Sequence, residues 1–241
     1  TIYFDTKIYT GTQSNNITLT MDNVGWVWMK NRTNSGNNIL MDVVRGGNNS
    51  NSQKPVLLSN TTGAEQGSDI TATGGVAFGS TSTVIGSDNG GYNYNNSTSS
   101  SYVAWHWGTG TSFSNSAGAN GADLASTGSY NRDSGFSIVT WTGNATDDQQ
   151  IYHGLNAVPQ MMILKNRTNG NNESWKVYHQ AIGNTHSLTL DSTAAKNDNV
   201  EWWSDETPTS TVFTVGRQDG TNNNSMIAYC FAEKQGYSKF E

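Results

Sequence analysis

The chain has 241 residues, of which 34% are hydrophobic and only 13% charged, whereas soluble globular chains average roughly 45–50% and 25%. A net charge of −6 gives no positive surface for a nucleic-acid backbone, so we expect no nucleic-acid partner. No apolar run reaches the roughly 20 residues of a spanning helix, so we expect no membrane insertion. Eight Trp and ten Tyr distinguish the chain from disordered sequences, which are poor in aromatic residues.

Short runs of alternating apolar and polar residues, separated by Asn/Gly-rich turns, predict β-strands along the whole chain. In chain order the clearest runs are 16–21, 25–30, 137–142, 160–165, 174–178, 187–191, 211–216 and 226–232. Because no 3.6-residue pattern competes with them, the predicted fold class is all-β, with two tandem antiparallel β-sandwich domains of jelly-roll-like type. The single cysteine, Cys230, excludes an intramolecular disulfide and is interpreted as an apolar strand residue.

An internal repeat supports the two-domain prediction. Residues 29–34 recur as residues 164–169, and the five residues Lys-Asn-Arg-Thr-Asn are identical at an offset of 135 (165 − 30). Further blocks follow in the same order: 9–11 with 141–143, 58–62 with 190–193, 82–86 with 210–214, and 102–105 with 227–230. The sequence therefore predicts a tandem duplication.

The duplication predicts a first β-sandwich at residues 1–107 and a second at 136–241, the latter ending in a strand-like tail. Residues 108–135 are rich in Gly, Ser, Thr and Asn and are predicted to be a connector. The motifs Lys30–Thr33 and Lys165–Thr168 are predicted to lie at equivalent strand ends, where each chain segment enters a turn. Their predicted role is structural.

Several short segments of the sequence resemble motifs of a known protein family. They are 9–11, 26–28, 42–46 and 102–105 in the first half, and 135–139, 153–155, 175–179, 208–213, 229–233 and 236–240 in the second. These phrases are similar to tandem β-sandwich repeat domains of uncharacterised tail-fibre-like structural proteins of aquatic tailed phages. The resemblance implies a structural or adhesive role and supplies no catalytic residues. In that family the stretch matching 236–240 leads into another repeat, whereas this sequence ends at Glu241.

Catalytic and metal-binding patterns are weak. The only acidic cluster that could supply two catalytic carboxylates for glycan hydrolysis is Glu201, Asp205 and Glu206. Carboxylates near a turn, however, are commonly just solvated. Asp88–Gly91 and Asp219–Asn222 have oxygen-rich side chains suited to calcium, but turn formation explains both more simply. The histidines, which lack zinc-site spacing and are interpreted as structural, are His106, His153, His179 and His186. We therefore predict no enzyme, no cofactor and no metal.

The sequence suggests two hypotheses that involve carbohydrate, namely sugar binding and N-glycosylation. Aromatic rings beside polar side chains suit sugar binding, and the candidates are Trp107, Trp202, Trp203 and Tyr94. Core packing is the stronger interpretation of these rings, because a sandwich poor in aliphatic residues must fill its core with aromatics. Sequons for N-glycosylation begin at Asn16, Asn31, Asn48, Asn60, Asn95, Asn96, Asn144, Asn166, Asn172 and Asn223. A sequence so rich in Asn, Ser and Thr generates most of them by chance.

The two ends of the chain suggest how copies assemble. Both are aromatic and strand-forming, and the predicted interface residues are Ile2, Tyr3, Phe4, Tyr237, Ser238, Lys239 and Phe240. A sandwich has edge strands that accept an added strand. We therefore predict a non-enzymatic subunit that joins itself head to tail, as a helical homopolymer, in an extracellular or virion-surface fibre. The alternative is a monomeric lectin-like adhesin or receptor-binding module.

Overall fold

The computed structural model describes residues 2–13, 17–46, 55–66, 76–86, 97–168 and 173–241. These residues form 18 strands and four helical turns of three or four residues each, so the all-β prediction is confirmed. Contacts divide the chain into two units. Unit 1 comprises residues 1–61 and 65–110, and unit 2 comprises residues 62–64 and 111–241.

Unit 1 consists of two antiparallel sheets. The first has the order β1 (Phe4–Thr10), β8 (Ser101–Gly108), β3 (Val24–Asn31), β4 (Ile39–Asp42), β5 (Leu57–Leu58), and the second β2 (Ile17–Leu19), β7 (Thr83–Ile85), β6 (Val76–Phe78). Alternation places Val27 and Met29 on the face of β3 that packs against Leu19, Phe78 and Ile85 of the second sheet. The core of unit 1 therefore lies between two layers, as in a sandwich.

Unit 2 has a larger first sheet. Its order is β16 (Asn197–Asp198), β15 (His186–Thr189), β14 (Lys176–His179), β13 (Pro159–Asn166), β18 (Asn223–Ala232), β11 (Phe136–Asn144), β10 (Ser126–Asn131), β9 (Thr111–Asn115), and β12 (Gln149–Tyr152) pairs separately with β17 (Val212–Val215). The helical turns are Ala119–Gly121, Gln180–Ile182, α1 (Val200–Trp203) and α2 (Asp219–Asn222). Ile151 and Phe213 from the small sheet join Leu164 and Ala228 of the large sheet in one buried cluster.

Five strands have the same order in both units. The order β1-β8-β3-β4-β5 matches β11-β18-β13-β14-β15, and the pair β2-β7 matches β12-β17. Register extends the match to single residues, because Met29 pairs with Ala104 and Leu164 with Ala228. In the structure, residues 102–105 therefore correspond to residues 226–229. The alignment with 227–230 predicted from the sequence is shifted by one residue.

The repeated Lys-Asn-Arg-Thr motif ends a strand in each unit, as predicted. β3 ends at Asn31 and β13 at Asn166, and both side chains are almost fully buried. In each turn the asparagine Oδ1 accepts a hydrogen bond, at 2.9 Å, from the backbone N–H two residues later. The N–H of the following residue, Arg32 or Arg167, donates to the last strand of its own unit at 2.7 and 2.8 Å. The asparagine side chain thus holds the chain in the turn.

The prediction of a connector at residues 108–135 is wrong. Two segments of it form the strands β9 and β10, which pair with each other, and β10 also pairs with β11. The boundary between the units lies at residues 110 and 111. Phe113 and Tyr130 pack against the buried cluster of unit 2. Gly128 allows this close packing, because a Cβ there would lie 2.2 Å from the Ile138 carbonyl oxygen. Two well-placed aromatic residues are enough to anchor a polar hairpin.

Candidate functional site

One edge of the first sheet of unit 1 is open. β1 pairs with β8 on one side, and hydrogen bonds from Gly108 N to Tyr3 O and from Gly11 N to Ser100 O, both 2.8 Å, fix the alternation of the ladder. The residues whose backbone groups point away from β8 are Phe4, Thr6, Ile8 and Thr10. In the described parts of the chain no strand pairs with them. Among the N–H groups of these four residues, only that of Thr6 has a partner in the described part of the chain, the Oδ1 of Asp5 at 2.8 Å.

The corresponding strand of unit 2 is covered. Tyr9 pairs with Tyr102 and Trp141 with Met226, so β11 occupies the position of β1. On its other side β11 pairs with β10 along six residues, including Ile138 with Ser129. Unit 2 therefore shows that this strand position accepts an antiparallel neighbour of small polar residues.

Exposed apolar side chains concentrate near the same edge. Six large hydrophobic side chains are exposed among the described residues. Three of them lie on β1 or just before it: Ile2 is 59% exposed, and on the strand Phe4 is 38% and Ile8 62% exposed. In unit 2 the residue equivalent to Phe4 is Phe136, which is 1% exposed. An edge strand with both open backbone groups and apolar side chains is a site for strand addition.

The predicted C-terminal interface residues lie in a turn against unit 2. Lys234 and Ser238 form an isolated β-bridge, and the Ser238 N–H donates to the Lys234 carbonyl at 2.9 Å. The Phe240 ring lies 6.3 Å from the rings of both Phe231 and His179, and Gln180 Nε2 donates to the Phe240 carbonyl. Lys239 pairs only with the neighbouring Glu241. Tyr237 is 41% exposed, and its backbone N–H donates to the Lys234 carbonyl at 2.9 Å.

Three of the four aromatic residues proposed for sugar binding lie in the described part of the chain, and each packs against neighbouring side chains or is buried. Trp107 is half-buried between the rings of Phe4 (4.9 Å) and Trp26 (4.4 Å). Trp203 is 1% exposed and its Nε1 donates to the His186 carbonyl at 2.9 Å, so its assignment to a sugar site is wrong. The Lys176 ammonium lies 4.0 Å from the centre of the half-buried Trp202 ring. Tyr94 lies outside the described residues.

The sequons divide into three groups. Asn31 and Asn166 are 1% and 3% exposed and hold their turns, so their assignment as glycosylation sites is wrong for the folded chain. The sequon asparagines with accessible side chains are Asn60, Asn144 and Asn223, and each side-chain amide donates a hydrogen bond, to Asn37, Gln149 and Asp219 respectively. The remaining five, Asn16, Asn48, Asn95, Asn96 and Asn172, lie outside the described residues.

In the acidic cluster considered for catalysis, Glu201 has structural partners. Glu201 accepts a hydrogen bond from Arg217 Nε at 2.7 Å, and this contact lowers the pKa of Glu201, the opposite of what a general acid needs. Asp219–Asn222 forms α2, whereas Asp88–Gly91 lies outside the described residues. Burial raises the pKa of the Cys230 thiol to about 12, consistent with a core residue. Within the described ranges no three His, Cys, Asp or Glu side chains come together as metal ligands.

His153 is a buried histidine whose two ring nitrogens both form hydrogen bonds to the backbone. It is fully buried, and its Nδ1 accepts a hydrogen bond from the Leu155 N–H at 3.3 Å. The proton therefore lies on Nε2, which donates to the Thr209 carbonyl at 3.2 Å. Burial lowers the pKa of His153 to about 4, so the ring is neutral at physiological pH.

A polar cavity in unit 2 has no counterpart in the sequence prediction. It is largely open to solvent and has a volume of about 270 Å³, and the residues that line it are Ser114, Asn115, Ala125, Ser126, Thr127, Thr140, Trp141, Thr142, Arg167 and Ser225. Half of these residues come from the segment predicted to be a connector. Without β9 and β10 in place, the sequence gives no signal that these hydroxyl groups lie together.

Comparison with protein families assigns the chain. The model of the domain of unknown function DUF7483 matches residues 1–241. The chain belongs to this family. Comparisons with curated proteins and with solved structures found no match. No helix in the described part of this DUF7483 chain is long and apolar enough to cross a membrane.

Proposed function

We propose that this DUF7483 protein is a non-enzymatic structural subunit of an extracellular or virion fibre, which assembles by adding a strand to the open edge of β1. The observation that carries the proposal is the difference between the two units. β11 has β10 as its neighbour, whereas the equivalent β1 has none among the described residues and leaves Phe4 and Ile8 exposed. Addition of a strand would pair the open N–H and C=O groups and cover the apolar side chains.

The strand donor in this proposal is the C-terminal tail of a second copy. Residues 236–240 include two aromatic residues and no proline, and they are held in their own unit by the turn between Lys234 and Ser238 and by the Phe240 contacts. Docking of a tail on the β1 of the next copy is a heterologous contact. Such a contact repeats into a helical filament whenever its rotation does not close a ring.

The two units are, in this proposal, duplicated copies of one jelly-roll-like sandwich. The shared strand order, the matching register and the two asparagine turns support duplication. In unit 1 the first strand pairs with the last and the second with the seventh, and the strands β11 to β18 of unit 2 pair in the same nested way, which favours the jelly-roll class. The resemblance to tail-fibre-like phage proteins agrees with a subunit made of repeated sandwiches.

Deleting residues 236–241 tests the proposed donor. We expect full-length protein to form fibres in negatively stained micrographs and larger species in size exclusion as concentration rises. The truncated protein should remain a folded monomer, because the deletion leaves every strand of unit 2 intact. Val200→Ser, which removes a 53% exposed apolar side chain far from the tail in sequence, is the control and should still form fibres.

Fibres formed equally well without the tail would exclude it as the donor. A full-length chain that stays monomeric at every concentration would instead favour the lectin-like alternative.

A further inference from the structure

The two faces of β1 carry different kinds of side chains, and this difference restricts how a strand can pair with its open edge. Alternation places Phe4 and Ile8 on one face and Asp5 and Lys7 on the other, and all four residues are exposed. An added strand places each of its side chains on the same face as the residue opposite. Its apolar residues must therefore come opposite Phe4 or Ile8, and its charged residues opposite Asp5 or Lys7.

The C-terminal tail has the matching alternation when it is extended. Ser238 and Phe240 then lie on one face, and Tyr237 and Lys239 on the other. In its own unit the tail is folded into a turn in which Gly236 has a φ of +76°. Because glycine also adopts extended φ values, the tail can straighten once it leaves this turn.

Charge decides among the registers that keep these faces together. With Lys239 opposite Asp5, opposite charges face each other and the aromatic residues of tail and strand also meet. A shift of two residues instead places Lys239 opposite Lys7 and Glu241 opposite Asp5, so that both pairs repel. A shift of four residues pairs Glu241 with Lys7 but places no residue of the tail opposite Phe4. Only the first register combines charge pairing with cover for the exposed ring.

The Asp5 carboxylate also occupies a backbone group that the incoming strand needs. Its Oδ1 accepts the hydrogen bond from the Thr6 N–H at 2.8 Å, on the open side of β1. Its Oδ2 lies 3.9 Å from Nε2 of His106, and burial lowers the pKa of this histidine, so the ring is neutral near pH 7. A cation placed opposite Asp5 draws the carboxylate away and leaves the Thr6 N–H for the carbonyl of Ser238.

We propose that the tail of one copy pairs antiparallel with β1 of the next in a single register, with Lys239 opposite Asp5 and Phe240 opposite Phe4. This inference rests on the proposed function, since it specifies how the tail docks. Antiparallel pairing follows the example of unit 2, where β10 adds to β11 in that direction.

Exchange of the two charges tests the ion pair. Asp5→Lys and Lys239→Asp should each raise the concentration needed for fibres about fivefold, because like charges then face each other. An equimolar mixture of the two variants should form fibres at nearly the wild-type concentration, since every junction of an alternating polymer again joins opposite charges. Lys196→Asp, the same change at an exposed lysine outside the tail, should behave as the wild type. A mixture that does not recover would overturn the proposed register.

Disulfide cross-linking reads the register directly. Lys7→Cys with Tyr237→Cys keeps the ion pair and, in the proposed register, places two cysteines in a non-hydrogen-bonded pair with Cα atoms about 4.5 Å apart, within disulfide range. Fibres of this variant should give a ladder of covalent multimers on a non-reducing gel. Lys7→Cys with Glu241→Cys should give none, since these residues meet only after a shift of four. The native Cys230 is buried and should not react.

The outcomes separate this inference from the fibre proposal. All the substituted positions are exposed, and thermal melting verifies that the variants fold. Cross-links through Glu241→Cys alone, or fibres indifferent to both charge changes, would overturn the register but leave the fibre proposal standing if removal of residues 236–241 still abolishes fibres. Wild-type protein that forms no fibres would overturn both.

Discussion

Replacing Ile8 with proline is expected to abolish fibre formation and leave a folded monomer. The Ile8 N–H points away from β8, so its loss removes no hydrogen bond within unit 1. Proline is tolerated on the open side of an edge strand for this reason. For an incoming strand, however, the substitution removes a backbone donor and places the proline ring in its path.

Ile8→Thr is the matched control, because Thr140 occupies the equivalent position in unit 2. It removes the apolar side chain but keeps the backbone N–H, so fibre formation should weaken without being lost. Electron microscopy and sedimentation of both variants, together with thermal melting to verify folding, give the comparison. Fibres of Ile8→Pro at the wild-type concentration would mean that the edge of β1 takes no part in assembly.

Replacing Arg45 with methionine is expected to destabilise unit 1 by about 3–5 kcal/mol, the usual cost of removing one member of a buried ion pair. The Arg45 side chain is fully buried, with Nε 2.6 Å from Asp42 Oδ2 and one terminal nitrogen 3.0 Å from Glu65. Its other terminal nitrogen donates to the Leu40 carbonyl at 3.1 Å. Methionine fills similar space but leaves the Asp42 carboxylate buried without its cation.

Arg217→Met in unit 2 is the control for that change. Arg217 also pairs with two carboxylates, Asp147 and Glu201, but its side chain is 57% exposed. Exposed ion pairs contribute little to stability because solvent screens them, so this variant should unfold at nearly the wild-type urea concentration. Hydrogen exchange in urea reads unit 1 separately from unit 2. Equal destabilisation by the two substitutions would show that the Asp42–Arg45–Glu65 network adds nothing beyond a surface pair.

The Lys-Asn-Arg-Thr motif, identical in the two halves, shows what could and could not be predicted from the sequence. It correctly predicts two equivalent strand ends, because the Asn31 and Asn166 turns depend on local hydrogen bonds. The environments of the preceding lysines differ. Lys30 is exposed and donates to Asn38 at 3.1 Å, whereas Lys165 is fully buried and donates to the backbone carbonyls of Thr62 and Glu173. Burial lowers the pKa of Lys165 to about 8, a difference that only the packed structure reveals.

The hairpin of β9 and β10 shows why the cavity was missed. Its composition is typical of a linker, and its contribution to the core depends on Phe113 and Tyr130 meeting residues far along the chain. That β1 lies at an open edge could likewise not be predicted from the sequence, because the edge position of a strand depends on which strands pair with it and not on its own residues. The prediction that both chain ends are aromatic and strand-forming named Ile2, Phe4 and Tyr237, which are exposed, but it gave no signal for the exposed Val158 and Val200.

Hydrogen exchange of the backbone amides of Phe4, Ile8 and Thr10 tests the assembly proposal most directly. These amides point away from β8 and have no partner among the described residues of the monomer. In dilute protein they should therefore exchange rapidly. In fibres we expect them to become protected, and protein lacking residues 236–241 should show rapid exchange at every concentration. Fibres in which these amides exchange as fast as in the monomer would contradict strand addition at β1.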